Sequence, residues 1–329
     1  MCFKRIEYFI FCFMFNYNFV TKYATWQCEQ RATILLLINL CWSSIKQNIR
    51  EDLAVFKMNY MMQSQPQPQM NYSHPIRINL SELRQSAVVY NTTQIDYLSS
   101  DKHFVVAHFI LECGLKLEAD GLTICTAASL FHKFFSTAKI SDYDPYLIAG
   151  TCLYLAGKVE DNHLKLRDVI NVVHSVLHKT LEPLPLGDQY WNTRDAIVQA
   201  ELLVLRMCQF VVRFSHPHKY LLHYLKSLKD WMSEEVWRKY PVARTSWAML
   251  QDLYHDPAVL SAHPSLTAIA CIQLALETFG IQVPFVASET WYQVLDEKVT
   301  KEKMWEVMTR IMDVYNKEAE ILSSLSKSY

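Results

Sequence analysis

Glycine is scarce in this sequence, with six residues in a chain of 329 against a usual share of roughly 7%. So few glycines leave little room for phosphate-binding loops or tight β-turns. The motifs G-x-x-x-x-G-K-[ST], G-x-G-x-x-G and G-x-S-x-G are absent, and no paired carboxylates lie in a setting that suggests acid and base roles. The sequence therefore predicts a mainly helical protein that is not an enzyme.

A net charge of one sign is also lacking, because 32 basic residues nearly cancel 33 acidic ones. No overall field would attract nucleic acid or an anionic membrane. The nine cysteines form no C-x-x-C pair, which excludes a zinc ribbon and favours a reducing compartment. His174 and His178 have the i, i+4 spacing of a metal pair, but no H-E-x-x-H pattern accompanies them. We expect no cofactor, no metal, no direct nucleic-acid binding and a nuclear and/or cytoplasmic location.

The N-terminal part lacks a long uninterrupted apolar run. Residues 1–60 form an apolar leader, but its runs at 6–20 and 32–42 are shorter than the ~18 to 20 apolar residues that span a membrane. We therefore expect no membrane partner. Residues 61–99 include the polar, proline-containing "QSQPQPQMNYSHP" and are predicted to be a disordered linker.

From about residue 100 onward the apolar spacing predicts five helices joined by short loops. The third, "DPYLIAGTCLYLAGK", starts with Asp144 as N-cap and Pro145 as its first helical residue. It is apolar on all sides, which is typical of a helix surrounded by others. "YLAGKVED" at its end then raises the question of why a buried helix ends in a lysine.

An internal repeat relates this helix to "HPSLTAIACIQLALETFG" at an offset of 119 residues. The same offset carries the second helix onto "TSWAMLQDLY" and "QAELL" of the fifth onto "EAEIL". We therefore predict an all-α fold of two tandem five-helix bundles, at residues 100–213 and 214–329, with a disordered or poorly ordered N-terminal extension. Lys158 corresponds to Glu277 in the second copy, an asymmetry that packing alone does not require.

At this point the residues resemble the cyclin family, whose tandem boxes are five-helix bundles with a buried third helix. "YLAGKVED", "AELLVLRMCQF" and "HPHKYLLHYL" are similar to the transcription-type branch and, more narrowly, to the cyclin-Q group. The resemblance implies a non-catalytic activator of a cyclin-dependent kinase, for cyclin-Q cyclin-dependent kinase 10. The first helix, "FVVAHFILECGL", lacks the Met-Arg-Ala-Ile-Leu patch that recruits substrates in the cell-cycle branch.

The resemblance also implies that Lys158 and Glu201 bind the C-helix of the kinase, and we assign Leu155, Glu160 and Phe135 to the same surface. Two alternatives stay open for the charged pair. Lys158 could interact with the last carbonyls of its own helix, or donate to the free carbonyls at the end of a partner's helix. Glu201 could pair within the chain, with Arg194, Arg206 or Lys158, or bridge to the partner beside Lys158.

Three further interpretations concern aromatic residues, histidines and a second class of protein. Phe131, Phe134 and Phe135 in "LFHKFF" are predicted to be core, with some contribution of their edges to the interface. His216 and His218 are predicted to shape the start of the second bundle.

The alternative function is that of a TFIIB-like general transcription factor, which uses two cyclin-like bundles to bind DNA and protein. The near-neutral charge and missing C-x-x-C pairs argue against it.

Overall fold

The computed structural model describes residues 102–180, 182–284 and 290–326, so the predicted leader at 1–60 and linker at 61–99 lie outside the described residues. Within those ranges every regular element is a helix, which confirms the predicted all-α class. The first bundle contains α1 (Lys102–Lys116), α2 (Gly121–Thr137), α3 (Pro145–Val159), α4 (Leu166–His178) and α5 (Asp188–Met207). The second contains α6 (His218–Trp231), α7 (Glu234–Lys239), α8 (Val242–Leu253), a 3-10 turn (Pro257–Leu260), α9 (Pro264–Thr278), α10 (Trp291–Leu295) and α11 (Lys301–Ser326).

Helix α3 begins as the sequence predicts. The Asp144 side chain accepts a hydrogen bond from the backbone N–H of Tyr146 at 3.0 Å, and Pro145 is the first helical residue, where its missing N–H costs no hydrogen bond. The helix packs against all four other helices of its bundle. Its residues from Ile148 to Leu153 are all buried, so the predicted central position of α3 is confirmed.

The repeat is visible in the helix boundaries. Helix α9 covers Pro264–Thr278, which places both of its ends 119 residues after those of α3. Helices α5 and α11 end at Met207 and Ser326, again 119 residues apart. The second copy is less regular, because α10 has 5 residues at the place where α4 has 13.

Helix α2 lies between the bundles and is buried almost throughout. Leu130, Phe131 and Phe134 belong to the core of the first bundle, whereas Cys125 and Ala128 belong to that of the second. The helix also contacts the 3-10 turn of the second bundle. The sequence pattern predicted a buried central helix in each bundle, α3 and α9, and did not show that α2 contributes to two cores at once.

Buried histidines occupy the junction of the two bundles. His132 of α2 donates from Nε2 to the carbonyl oxygen of Tyr254 at 2.9 Å, because a carbonyl can only accept. His218 begins α6, and its Nε2 lies 3.8 Å from Sγ of Cys125. Burial lowers the pKa of His132 and of His216 to about 4 and that of His218 to about 3. All three therefore stay neutral in the folded chain at physiological pH.

These histidines make the folding stability depend on pH. In the unfolded chain a histidine takes up a proton near pH 6.5, whereas the folded His132 and His216 stay neutral down to about pH 4. The unfolded state then binds more protons, so the free energy of unfolding is highest above pH 6.5. We expect it to fall by about 1.4 kcal/mol per pH unit for each such histidine as the pH drops from 6.5 toward 4.

Urea denaturation at a series of pH values from 7 to 5 measures this slope. His132→Gln keeps an N–H donor for Tyr254 but removes one titrating group, and should flatten the slope. The solvent-exposed His223 gives the control variant His223→Gln, which should leave it unchanged. Equal slopes for the wild type and His132→Gln would contradict the expectation.

Candidate partner-binding surface

The end of α3 and the middle of α5 bring Lys158 and Glu201 together. Nζ of Lys158 donates to Oε1 of Glu201 at 2.6 Å, so of the internal partners considered for Glu201 the structure shows Lys158. The side chains are 48% and 17% exposed. An ammonium has three N–H donors, and this contact uses one of them. The pair can therefore be an internal contact and still offer donors to a partner.

Lys158 is held by a second contact. Its Nζ lies 4.2 Å from the centroid of the Tyr154 ring, one turn earlier on α3, within the range of a cation–π interaction. Two of the last carbonyls of α3 have other partners, because Ala156 O accepts from the N–H of Glu160 at 3.0 Å and Gly157 O from that of Asn162 at 2.9 Å. Nζ of Lys158 lies against Glu201 and the Tyr154 ring, so the alternative in which Lys158 serves its own helix end is disfavoured.

Gly157 lets the chain turn back closely beside Lys158. A Cβ at this position would lie 2.7 Å from the backbone oxygen of Asn162 and 3.0 Å from Cγ of Leu164. Real Cβ atoms do not approach backbone that closely, so a larger residue would displace the 160–164 segment or the end of α3. The glycine before the lysine thus fixes the place where Lys158 emerges.

Exposed apolar side chains occur on α5 close to Glu201 in the sequence. Val198, one turn before Glu201, is 49% exposed, Leu202, the next residue, is 47% exposed, and Phe210 after the helix is 64% exposed. The sequence analysis missed these residues, and Ile197, which is also one turn from Glu201, is buried. The positions of Val198 and Leu202, three residues before and one after Glu201, were a signal that could have found them.

The backbone after α5 presents Phe210 to solvent. Gln209 and Phe210 have φ angles of 55° and 59°, a left-handed conformation that is uncommon for residues other than glycine. Nζ of Lys133 donates to the carbonyl oxygen of Val211 at 3.2 Å, and Phe210 N donates to Leu205 O at 2.8 Å. No sequence signal announced this turn, since it contains no glycine.

The other predicted interface residues lie deeper. Leu155 and Phe135 are 4% and 8% exposed, so they present little surface to a partner, and their binding role stays a prediction. Phe131 and Phe134 are fully buried with Phe135, which confirms the predicted core cluster. Glu160 is half-buried, and its Oε1 accepts a hydrogen bond from Oγ1 of Thr126 at 2.7 Å.

The described residues show neither a metal site at the histidine pair of α4 nor a helix that could span a membrane. The rings of His174 and His178 have centroids 4.6 Å apart. In the described ranges, no three His, Cys, Asp or Glu side chains form a group that could hold a metal ion. No helix in the part of the chain that the structure describes is long and apolar enough to cross a bilayer.

Comparisons with known proteins show that part of this chain is similar to cyclins. Residues 77–213 match the family model described as Cyclin, N-terminal domain. The chain is 30% identical to cyclin-L1 of Gallus gallus over 220 residues, which cover 66% of this chain and 39% of that protein. It is 29% identical to cyclin-L2 of Homo sapiens over 230 residues, which cover 69% and 42%. The chain thus spans less than half the length of these curated relatives.

A solved structure shares the fold. A chain of the yeast RNA Pol II CTD kinase CTDK-1 complex superposes with a TM-score of 0.54 at 17% sequence identity, covering 78% of this chain and 77% of that one. At this identity the likeness speaks for the fold alone.

Replacing Gly157 tests how closely the end of α3 packs against the 160–164 segment. We expect Gly157→Ala to destabilise the chain by about 1–3 kcal/mol, because the added methyl group overpacks the contact with Asn162. The control is Gly121→Ala, whose Cβ would meet only the flexible end of Gln251, at 3.4 Å. Urea denaturation compares the two variants, and equal stabilities would show that the turn yields without cost.

Proposed function

We propose that this chain is the non-catalytic activating subunit of a cyclin-dependent protein serine/threonine kinase. The observation that carries the proposal is the Lys158–Glu201 pair, 2.6 Å apart at the surface of the first bundle. It occupies the two positions that bind the kinase C-helix in the cyclins that this sequence resembles. The matches to the cyclin N-terminal domain and to cyclin-L1 and cyclin-L2 add to this support.

The surface has the chemistry to receive the end of a helix. Four carbonyls at a helix C-terminus lack partners in their own helix, and the remaining N–H groups of Lys158 can donate to them. Glu201 holds the ammonium in place from the other side. Val198 and Leu202 would then be covered by the partner and exclude water, which strengthens the charged contacts.

In the proposed mechanism the first bundle holds the kinase C-helix inward. The ion pair of a Lys and a Glu inside the kinase and its metal-binding Asp are then in place for phosphoryl transfer. All chemistry takes place on the kinase, and the chain acts by stabilising one conformation of its partner.

A narrower proposal concerns the kinase itself. The resemblance of "DPYLIAGTCLYLAGKVE" and "HPHKYLLHYLKSL" to the cyclin-Q group points to cyclin-dependent kinase 10, to a role in transcription or cell-cycle regulation and to the nucleus. Purification of the chain from its native cells, with mass spectrometry of the bound kinase, tests this. A different cyclin-dependent kinase would overturn the narrower proposal, and the absence of any such kinase would overturn the broader one.

Removing either member of the charged pair should abolish kinase binding. Truncating one partner of a buried charged contact costs about 2 to 5 kcal/mol, roughly 30- to several-thousand-fold in Kd. We expect Lys158→Ala and Glu201→Ala to lose the kinase in co-purification. In the free chain an exposed pair contributes only about 0 to 1 kcal/mol, so the melting temperature should change little.

The control for this prediction is another surface ion pair of the same length. Arg238 of α7 donates to Glu234 at 2.6 Å, in the second bundle. Arg238→Ala should keep full kinase binding. If Lys158→Ala and Glu201→Ala bound and activated the kinase like this control, the assigned interface would be wrong.

The apolar part of the surface gives an independent prediction. Val198 and Val294 are helical valines of similar exposure, 49% and 47%, in the first and second bundle. Val198→Ser should weaken kinase binding about tenfold, because burying a valine side chain is worth about 1.5 kcal/mol or more. Val294→Ser should leave the affinity unchanged. Isothermal titration with the purified kinase measures both, and equal Kd values would exclude this face of α5 from the interface.

The TFIIB-like alternative stays a prediction of the sequence. It requires the protein to bind duplex DNA with a binding constant whose logarithm falls linearly with the logarithm of the salt concentration. Fluorescence anisotropy with a labelled duplex at 50 and 200 mM salt tests it.

A further inference from the structure

A chain of hydrogen bonds runs from the second bundle to the turn after α3. The hydroxyl of Tyr254 lies 2.6 Å from Nδ1 of His216, whose Nε2 lies 2.8 Å from Oγ1 of Thr126. Oγ1 of Thr126 lies 2.7 Å from Oε1 of Glu160. Tyr254 follows α8 and His216 precedes α6, whereas Thr126 belongs to α2 and Glu160 is the residue after α3. The contacts therefore join four segments and both bundles.

The number of protons on each group fixes the direction of the hydrogen-bond chain. The Thr126 hydroxyl has a single proton and donates it to the Glu160 carboxylate. Its oxygen must then accept from His216, which requires a proton on Nε2. A neutral imidazole carries only one N–H, so Nδ1 is the acceptor for the hydroxyl proton of Tyr254. Each donor and acceptor is thus assigned without choice, starting from the carboxylate.

Burial keeps His216 and Tyr254 neutral and away from solvent. Burial lowers the pKa of His216 to about 4 and raises that of Tyr254 well above its usual value, so neither group is charged at pH 7. Thr126, His216 and Tyr254 are all buried. Water therefore cannot replace a missing partner, and loss of one group leaves its neighbour unpaired.

We propose that Glu160 is a positioning residue, through which the Tyr254–His216–Thr126 hydrogen-bond chain, which starts in the second bundle, fixes the turn after α3 and thereby the place of Lys158. Glu160 stands two residues after Lys158, and Asp161 next to it has a φ of 56°, a conformation that an isolated chain rarely adopts. The effect on the kinase rests on the proposed function. The hydrogen-bond chain and its effect on the turn do not, and can be tested on the free protein.

The first test uses the full chain without a kinase. Long-range proton–nitrogen NMR of histidine-labelled protein at pH 7 should show His216 as the Nε2–H tautomer, with the signal assigned by its absence in His216→Asn. Tyr254→Phe keeps the ring and removes the donor, so the Nδ1 resonance should move. An Nδ1–H tautomer in the wild type, or an Nδ1 shift that ignores Tyr254→Phe, would overturn the proposed direction.

A second measurement on the free chain tests the positioning itself. The N–H of Asn162 donates to Gly157 O at 2.9 Å across the turn, so its hydrogen exchange reports on the turn. Thr126→Val and Tyr254→Phe should each speed this exchange about tenfold, the effect of losing one buried hydrogen bond. The control variants Thr267→Val and Tyr240→Phe change residues outside the hydrogen-bond chain and should leave the exchange rate of Asn162 unchanged. Unchanged exchange in the first two variants would overturn the role of Glu160.

The last measurement tests whether the hydrogen-bond chain affects kinase binding. Thr126→Val and Tyr254→Phe should each weaken binding of the co-purified kinase about tenfold. The double variant should weaken it no further than the stronger single one, because both break the same chain. Additive losses would contradict a single connected chain. If the wild type bound no kinase, the proposed function would fail, while the NMR and exchange results would still decide on the hydrogen-bond chain.

Discussion

The burial of α3 on all sides is the constraint on which the rest of this structure depends. A helix in contact with four others can carry charged groups only near its ends, since an unpaired charge within its length would face apolar neighbours. Lys158 stands in its last turn, beside the open surface of α5. The apolar sequence that holds the bundle together thus also determines where its first positive charge emerges.

Helix α2 extends this constraint from one bundle to two. Its aromatic face fills the first core, while Cys125 and Ala128 enter the second. The polar residues between them, Thr126 and His132, are buried and must find partners across the junction, which they do in His216 and Tyr254. The second bundle is therefore connected to the first by packing and by directed hydrogen bonds.

The sequence predicted what depends on local pattern. The start of α3 at Pro145 and the repeat at α9 follow from a cap, a proline and an apolar span, which need no knowledge of the rest of the fold. The contact of Lys158 with Glu201 joins residues 43 positions apart, and the sequence left it open as one of three internal pairings for Glu201. The turn at Gln209 and Phe210 could not be predicted, because non-glycine residues adopt positive φ there. The orientation of Glu160 depends on Thr126 and on the second bundle behind it, which no local pattern contains.

The corresponding position of the second bundle has a different environment. Glu277, the counterpart of Lys158, accepts a hydrogen bond from Gln273 at 2.8 Å, and Gln273 in turn accepts one from the indole N–H of Trp291 at 3.0 Å. Burial raises the pKa of Glu277. Helix α10 thus covers this end of α9, whereas the end of α3 keeps a half-exposed ammonium beside open valine and leucine side chains. The repeated helix therefore ends differently in the two bundles. The end of α9 is covered, whereas the end of α3 is open and leaves N–H donors of Lys158 available to a partner.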